Sequence, residues 1–232
     1  MAVIYDVGMH NGDDTAYYLR KGHKVVAIEA NPALCDVARR RFADRLGDDL
    51  EILNVGVAKE PGELEFFIHR RNSALSTFVP PRDAANAELW ERLPVPTARL
   101  SDIVRERGEP HFVKIDIEHL DAVALDDLRN AGIVPAAISV EAHSFDVLVA
   151  LFRMGYAKFK LINCGRVHRR YGMQMIRLGD GTMSEHRFPP RSSGPFGEDL
   201  PGDWLSASKI AYLYFGRHVM LGPGWFDIHS AL

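Results

Sequence analysis

Short β-branched apolar runs alternate, along the first two thirds of the chain, with segments whose apolar residues recur every three or four positions. The first run, from Ala2 to Val7 with Val3, Ile4, Tyr5 and Val7, breaks into Gly8-Met9-His10-Asn11-Gly12, as a buried strand does on entering a tight turn. A short helix is expected over about residues 13–21, stopped by Gly22, followed by a second strand from Lys24 to Glu29. Asn31-Pro32 then supplies an N-cap and a first-turn proline for a helix with Leu34, Val37, Ala38 and Phe42 on one face. Residues 51–57 read as a third strand, Pro61-Gly62 as a turn, and Leu64, Phe66 and Ile68 as an alternating strand with one buried face; residues 69–97 are less regular. Residues 112–117 form the next buried run, with Leu120, Val123, Ala124 and Leu128 on one face of the helix that Gly132 ends. Residues 137–142 repeat the pattern, Ser144 caps a helix with Phe145, Leu148 and Phe152 inward, and residues 158–164 make a sixth strand.

Strand and helix in strict alternation predict an α/β fold of the doubly wound kind, a mostly parallel sheet with helices on both faces and ligands beyond the carboxyl ends of the strands. The length of 232 residues is assigned to a single domain, with residues 1–165 as the α/β core and 166–232 as a C-terminal extension. Within the extension, residues 179–202 are rich in Gly, Pro and Ser and read as a surface loop or lid, before a helix over about 206–219. The tail is expected to dock Trp225 and Phe226 onto the body, with Asp227 and His229 as candidates to fold back toward the pocket.

Composition narrows the partners. A net charge of -3 with a pI near 6.4 gives no global field for a nucleic-acid backbone, so nucleic acid is not expected. Cys35 and Cys164 lie far apart and fit neither a disulfide framework nor a metal-ligand spacing, so both are read as reduced core thiols. No run approaches the ~20 apolar residues of a membrane span and the first residues enter a strand at once, so no membrane partner is expected and the location is read as cytoplasmic.

The first glycine turn carries the candidate cofactor chemistry. Counting from Gly8 places His10 and Asp13 where a dinucleotide fingerprint needs glycines, and Asp13 and Asp14 at the helix start would repel a pyrophosphate. The methionyl end of S-adenosylmethionine tolerates such carboxylates, and Glu29 at the second strand's end is placed to accept from both ribose hydroxyls. The segments Asp6 to Thr15, Val26 to Pro32 and Val113-Lys114-Ile115-Asp116-Ile117-Glu118 resemble the FkbM-type methyltransferases, as do Ser193 to Gly197 and Trp225 to His229. The resemblance implies a class I methyltransferase (Rossmann-like) fold, S-adenosylmethionine as donor, and O-methylation of a metabolite, sugar, natural product or glycan. It also implies that Asp6, Gly8, His10, Asn11, Gly12 and Thr15 form the cofactor turn. Glu29, Ala30 and Asn31 would take the ribose and adenine side, Gly56 and Val57 the adenine edge, and Asp116 a place beside the cofactor. The chain departs from the family's Glu-Gly after the fourth strand by carrying Glu118-His119.

Methyl transfer to an alcohol needs alignment and somewhere for the hydroxyl proton to go, hence a base near neutral pH. Alternation turns Lys114, Asp116 and Glu118 to one side of the fourth strand and Ser139, Glu141 and His143 to the same side of the fifth. Asp116, Glu118, Glu141 and His143 are therefore expected to converge beyond one sheet edge, with His119 beside them, as the catalytic group. Three such carboxylates repel unless a cation or proton relieves them. Lys114, a protonated His143, the sulfonium or a metal each serves; a metal-free site is the expectation, although this donor set suits magnesium or manganese. Arg166, His168, Arg169, Arg170 and Arg177, with His186, Arg187 and Arg191, form a basic stretch that reads first as a solvated face and second as a reader of acidic acceptors. The competing readings are a cofactor-binding regulatory or partner protein without turnover and a nucleotide-dependent oxidoreductase, the latter disfavoured by the missing glycine pattern and Tyr-x-x-x-Lys pair.

Overall fold

The computed structural model describes residues 3–200, 202–221 and 224–232; Ala2 of the expected first strand and Pro201 of the expected lid lie outside them. The opening units are β1 (Val3–Val7), α1 (Asp13–Arg20), β2 (Lys24–Glu29), α2 (Pro32–Arg41) and β3 (Leu50–Asn54). The start of α2 shows how local chemistry sets these boundaries. The Asn31 side chain accepts from Ala33 N at 3.0 Å and Pro32 occupies the first turn, where its missing N–H costs nothing. The irregular stretch resolves into β4 (Gly56–Val57), β5 (Gly62–His69) and β6 (Trp90–Ala98), a separate three-stranded sheet in the order β4-β6-β5. Its strand β5 does not alternate as expected: Phe66 and Phe67 are both buried and Leu64 is exposed, because both of its faces are partly covered.

Alternation resumes with α3 (Leu100–Arg107), β7 (Pro110–Ile115), α4 (Asp121–Asn130), β8 (Ala137–Glu141), α5 (Phe145–Arg153) and β9 (Lys158–Asn163). The extension adds α6 (Val167–Arg170), the hairpin β10 (Gln174–Arg177) and β11 (Met183–His186), α7 (Ala207–Leu221) and β12 (Phe226–Ala231). The seven-stranded main sheet has the order β3-β2-β1-β7-β8-β12-β9. β12 is antiparallel to both of its neighbours, with Asp227 opposite Glu141 and Ile162, and His229 opposite Ser139 and Lys160. The tail expected to dock an apolar anchor is thus an interior strand of the sheet. Its sequence, Phe-Asp-Ile-His-Ser-Ala, hides this because its polar positions are themselves buried.

Sheet residues alternate between two cores, as their period of two requires. Tyr5, Val7, Val26, Ile28, Val113 and Ile115 pack with α3, α4, α5 and α7 on one face. Ile4, Val25, Ala27 and Phe112 pack with α1, α2 and α6 on the other, where Phe188, Phe196 and Leu200 complete the layer. The Gly/Pro/Ser-rich segment is therefore no free lid. Ser192 and Ser193 are buried, and Phe196 stacks on Phe112 with ring centroids 4.3 Å apart while meeting Tyr18 edge-on at 5.4 Å. Burying one such phenylalanine contributes roughly 1.5–3 kcal/mol, enough to hold an otherwise irregular segment down. Cys35 and Cys164 are both buried, reduced thiols.

Candidate active site

The carboxyl ends of β1, β2, β7 and β8 open onto one cleft of about 530 Å³. Gly8 closes β1 with φ +84°, and a Cβ there would run into the Asp116 carbonyl, so the turn admits only glycine. Gly8 N and Met9 N both donate to Ile28 O, at 2.9 and 3.0 Å, and Asp116 N donates to Val7 O at 2.9 Å, which ties the three strand ends together. Three strand spacings separate β2 from β8, about 14 Å, so the cleft spans an elongated ligand.

At the β2 end, Glu29 is buried and accepts from His10 N through Oε2 and from Asn31 N through Oε1, both at 2.8 Å. Burial pushes its pKa up to about 7, against the pull of those two N–H donors. His10, itself left-handed at φ 53°, has Nε2 2.8 Å from Ser73 Oγ, across the cleft from the small sheet. Gly56 lies flat under the Phe78 ring, where a Cβ would overlap the ring. Gly8, His10, Asn11, Glu29, Ala30, Gly56, Val57 and Asp116 line the cleft as the sequence suggests.

Asp6, Gly12, Thr15 and Asn31 are outside the cleft lining and act one layer behind it. Thr15 Oγ1 donates to Asp6 Oδ2 at 2.6 Å, Asn31 holds Glu29 and caps α2, and Gly12, at φ +79°, packs against Phe42. A buried Lys114 faces Asp6 and Asp14 at 3.9 Å each and Asp116 at 3.4 Å. Asp14, one of the helix-start aspartates, turns from solvent to Ser192 Oγ at 2.5 Å and Ser193 N at 3.1 Å, so the extension is bolted to the segment between β1 and α1.

At the far end, β7 and β8 pair in parallel with Lys114 opposite Ser139, which brings Asp116, Glu118, Glu141 and His143 together in the cleft wall. His143 Nε2 is 2.7 Å from Glu141 Oε2 and 3.6 Å from Glu118 Oε2. The short approach is not along a hydrogen-bonding direction, and neither His143 Nε2 nor Glu141 Oε2 has a hydrogen-bond partner among the described residues. Burial raises the Glu118 pKa to about 8, helped by Asp116 and Asp121, and raises Glu141 further, helped by Asp116. Burial opposes the charge on Asp116 too, but Lys114 beside it carries its pKa below the ordinary value. Burial lowers His143, leaving the imidazole neutral at pH 7. His119, expected in this group, is exposed and absent from the cleft lining; its ring lies 4.8 Å from that of His143.

Asp227 and His229 do not reach the cleft: both are buried in β12, each against Ser139 Oγ at 3.2 Å. Of the basic stretch, Arg191 alone lines the cleft. Residues of the small sheet and its 66–78 segment, above all Phe66, Asn72, Ser73, Leu75 and Phe78, form a wall that sequence periodicity misses. Thr77 Oγ1 fastens this wall to the Glu118 carbonyl at 3.1 Å.

A model of the methyltransferase FkbM domain matches residues 6–157. No curated protein matches the chain. Among solved structures, a precorrin-6y C5,15-methyltransferase from Geobacter metallireducens is similar over 99% of this chain and 78% of its own, at 10% identity and a TM-score of 0.44. An rRNA methylase from Streptococcus thermophilus covers 99% and 86%, at 10% identity and a TM-score of 0.41. An O-methyltransferase from Bacillus cereus in complex with SAH covers 99% and 74%, at 10% identity and a TM-score of 0.40. Likenesses at this level carry no argument about chemistry, and the fold is read from the strand order itself.

Proposed function

The chain belongs to the FkbM methyltransferase family, and from that premise we propose that it transfers a methyl group from S-adenosylmethionine to a hydroxyl oxygen of a small-molecule or glycan acceptor. The observation that carries the oxygen is the cluster of Asp116, Glu118, Glu141 and His143 in the wall farthest from Glu29. An alcohol becomes a competent nucleophile only when its proton has a destination, and this end of the cleft holds acceptor atoms with no hydrogen-bond partner within the described protein.

The residues present fit the donor. Glu29 offers a buried carboxylate to a pair of ribose hydroxyls, its geometry fixed by two backbone N–H groups. Val57 and Phe78 offer apolar walls to a planar base. Asp14 and Lys114 lie in the lining at the β1 turn, where an amino acid moiety carries both charges. Bound there, S-adenosylmethionine supplies a methyl carbon already activated by its sulfonium. The acceptor oxygen forms the new C–O bond as the C–S bond breaks, leaving S-adenosylhomocysteine, the methyl ether and one released proton. What the protein contributes is alignment, exclusion of water beneath the 66–78 wall, and a place for that proton. Arg191 at the rim favours acceptors with a phosphate or carboxylate.

The test is an S-adenosylhomocysteine release assay over a panel of hydroxylated compounds, neutral and acidic, with the methylated atom located by mass spectrometry and NMR. An ether product supports the reading. Methylation only at nitrogen, sulfur or carbon overturns it, and cofactor binding without turnover over the panel favours a regulatory protein that has kept the fold.

A further inference from the structure

Two carboxylates and one imidazole meet at the β7/β8 end, and among the described residues no lysine or arginine is paired with either carboxylate. Glu118, Glu141 and His143 each offer one donor atom, and these atoms lie within 4.8 Å of one another. The ion pairs of Lys114 go to Asp6, Asp14 and Asp116, not to Glu118 or Glu141. The Glu141 side chain is only 9% exposed, and among the described residues neither its Oε2 nor the His143 Nε2 2.7 Å away has a hydrogen-bond partner. Two buried acceptor atoms this close cost free energy unless a proton or a metal cation lies between them.

Spacing and support agree with a metal ion there. Adjacent ligands of a cation bound at about 2.0–2.2 Å stand about 3 Å apart, and the observed 2.7 Å and 3.6 Å separations bracket that value. The three donors are carried on fixed backbone. Glu141 ends β8, His143 follows two residues on, and Glu118 occupies a left-handed turn at φ 47° whose carbonyl is tied to Thr77. Two consecutive left-handed residues without glycine, Glu118 and His119 at φ 79°, are a strain that persists only where the surroundings over-determine it. The His119 ring packs against that of His143 and limits its rotation.

We propose that Glu118, Glu141 and His143 bind a divalent cation, Mn²⁺ or Mg²⁺, with the acceptor hydroxyl as a further ligand on the cleft side. This rests on reading that end of the cleft as the acceptor end. Hard oxygens with a single imidazole suit these two ions, and three protein ligands leave positions open to the cleft that all three residues line. Coordination lowers the pKa of the hydroxyl, whose proton leaves to solvent, and holds the oxygen for attack on the methyl carbon. An acceptor with a second oxygen on the adjacent carbon, a vicinal diol or a 2-hydroxy acid, gains a chelate and is the favoured class.

The experiment is Mn²⁺ titration of the full chain, stripped with EDTA, followed by electron paramagnetic resonance, with S-adenosylhomocysteine affinity measured calorimetrically on the same samples. One bound Mn²⁺ per chain, displaced by Mg²⁺, is expected, with Glu118→Gln and His143→Ala each weakening it about tenfold or more and leaving S-adenosylhomocysteine affinity unchanged. Retained cofactor affinity shows that each variant is folded. No bound Mn²⁺, or binding indifferent to both substitutions, overturns the site. Ether formation at full rate in EDTA overturns the site while the oxygen acceptor stands. Site-specific Mn²⁺ binding in a protein that methylates only nitrogen, sulfur or carbon keeps the site and overturns the oxygen acceptor.

Discussion

The two ends of the cleft treat buried charge in opposite ways. At the β1/β2 end the carboxylates mostly meet partners within the fold: Glu29 has two backbone N–H donors, Asp14 has Ser192 and Ser193, and Asp6 accepts from Thr15 through Oδ2, while its Oδ1 lacks a hydrogen bond among the described residues and faces Lys114 at 3.9 Å. At the β7/β8 end Glu141 Oε2 and His143 Nε2 have no hydrogen bond among the described residues, and Glu118 faces the histidine at 3.6 Å beside Glu141. A satisfied end is preorganised and holds its ligand with little rearrangement, whereas an unsatisfied end is completed by what arrives. Under the proposed function the difference separates a binding site from a reacting site on one sheet edge.

Breaking the unsatisfied end has the largest expected effect. His143→Ala and Glu141→Gln should each lower turnover by about 10² or more, the scale for losing a group that positions or deprotonates the acceptor. S-Adenosylhomocysteine affinity should hold, because the residues changed lie about three strand spacings, some 14 Å, from Glu29. Single-turnover rates and calorimetry on the same variants check this, and parallel losses of both would dissolve the distinction between the ends.

Breaking the satisfied end should give the mirror image. Glu29→Ala should weaken cofactor affinity by about 1.5–3 kcal/mol, the value of charge-assisted hydrogen bonds, while turnover at saturating cofactor changes far less. Circular dichroism would confirm that the fold survives. Unchanged affinity would place the ribose elsewhere.

A milder test uses the pH. Glu29, with its pKa pushed by burial to about 7, accepts best from hydroxyls when ionised, so cofactor affinity should rise with pH through about 7. Below that value the fall is at most about tenfold per pH unit, as one linked proton allows. In the free protein the sign reverses. The raised pKa means that this group's contribution to stability is complete below its unfolded value of about 4.5 and is lost as pH rises through about 7. Thermal melts with and without S-adenosylhomocysteine should therefore diverge with rising pH. Glu29→Gln should flatten both trends.

How much of this was legible in sequence followed from what periodicity encodes. Buried strands announce themselves as β-branched runs, so β1, β2, β7, β8 and β9 stood where expected, and the alternation of Lys114, Asp116 and Glu118 against Glu141 and His143 brought these side chains together at one end of the cleft. β12 was hidden because Asp227, His229 and Ser230 are polar and yet buried, satisfied in part by Ser139, a pairing that local pattern does not carry. The 66–78 wall and the clamp of Ser192 and Ser193 on Asp14 depend on contacts between residues distant in the chain, such as 178 positions for Ser192. The resemblance assigns Asp6, Gly12 and Thr15 to the cofactor turn and Asn31 to the ribose and adenine side, but motif position does not separate a residue that lines a cleft from one that props the lining.

The smallest expected effect concerns His119, which belongs to neither end but touches the second. Its φ of 79° places an L-residue in the left-handed region immediately after Glu118 at 47°. Such a conformation costs roughly 1–2 kcal/mol for a residue with a Cβ and almost nothing for glycine. Glycine also loses more chain entropy on folding, which returns part of that gain. His119→Gly should therefore stabilise the protein by about 0.5–1 kcal/mol, read as a shift of the urea midpoint at unchanged slope. The exposed ring forfeits little burial on removal, so no large packing loss opposes the gain. A destabilised variant would mean that the ring's contact with His143, 4.8 Å between centroids, outweighs the backbone strain. The left-handed turn would then be held by that contact, and the unsatisfied end of the cleft would be stiffer than its missing hydrogen bonds imply.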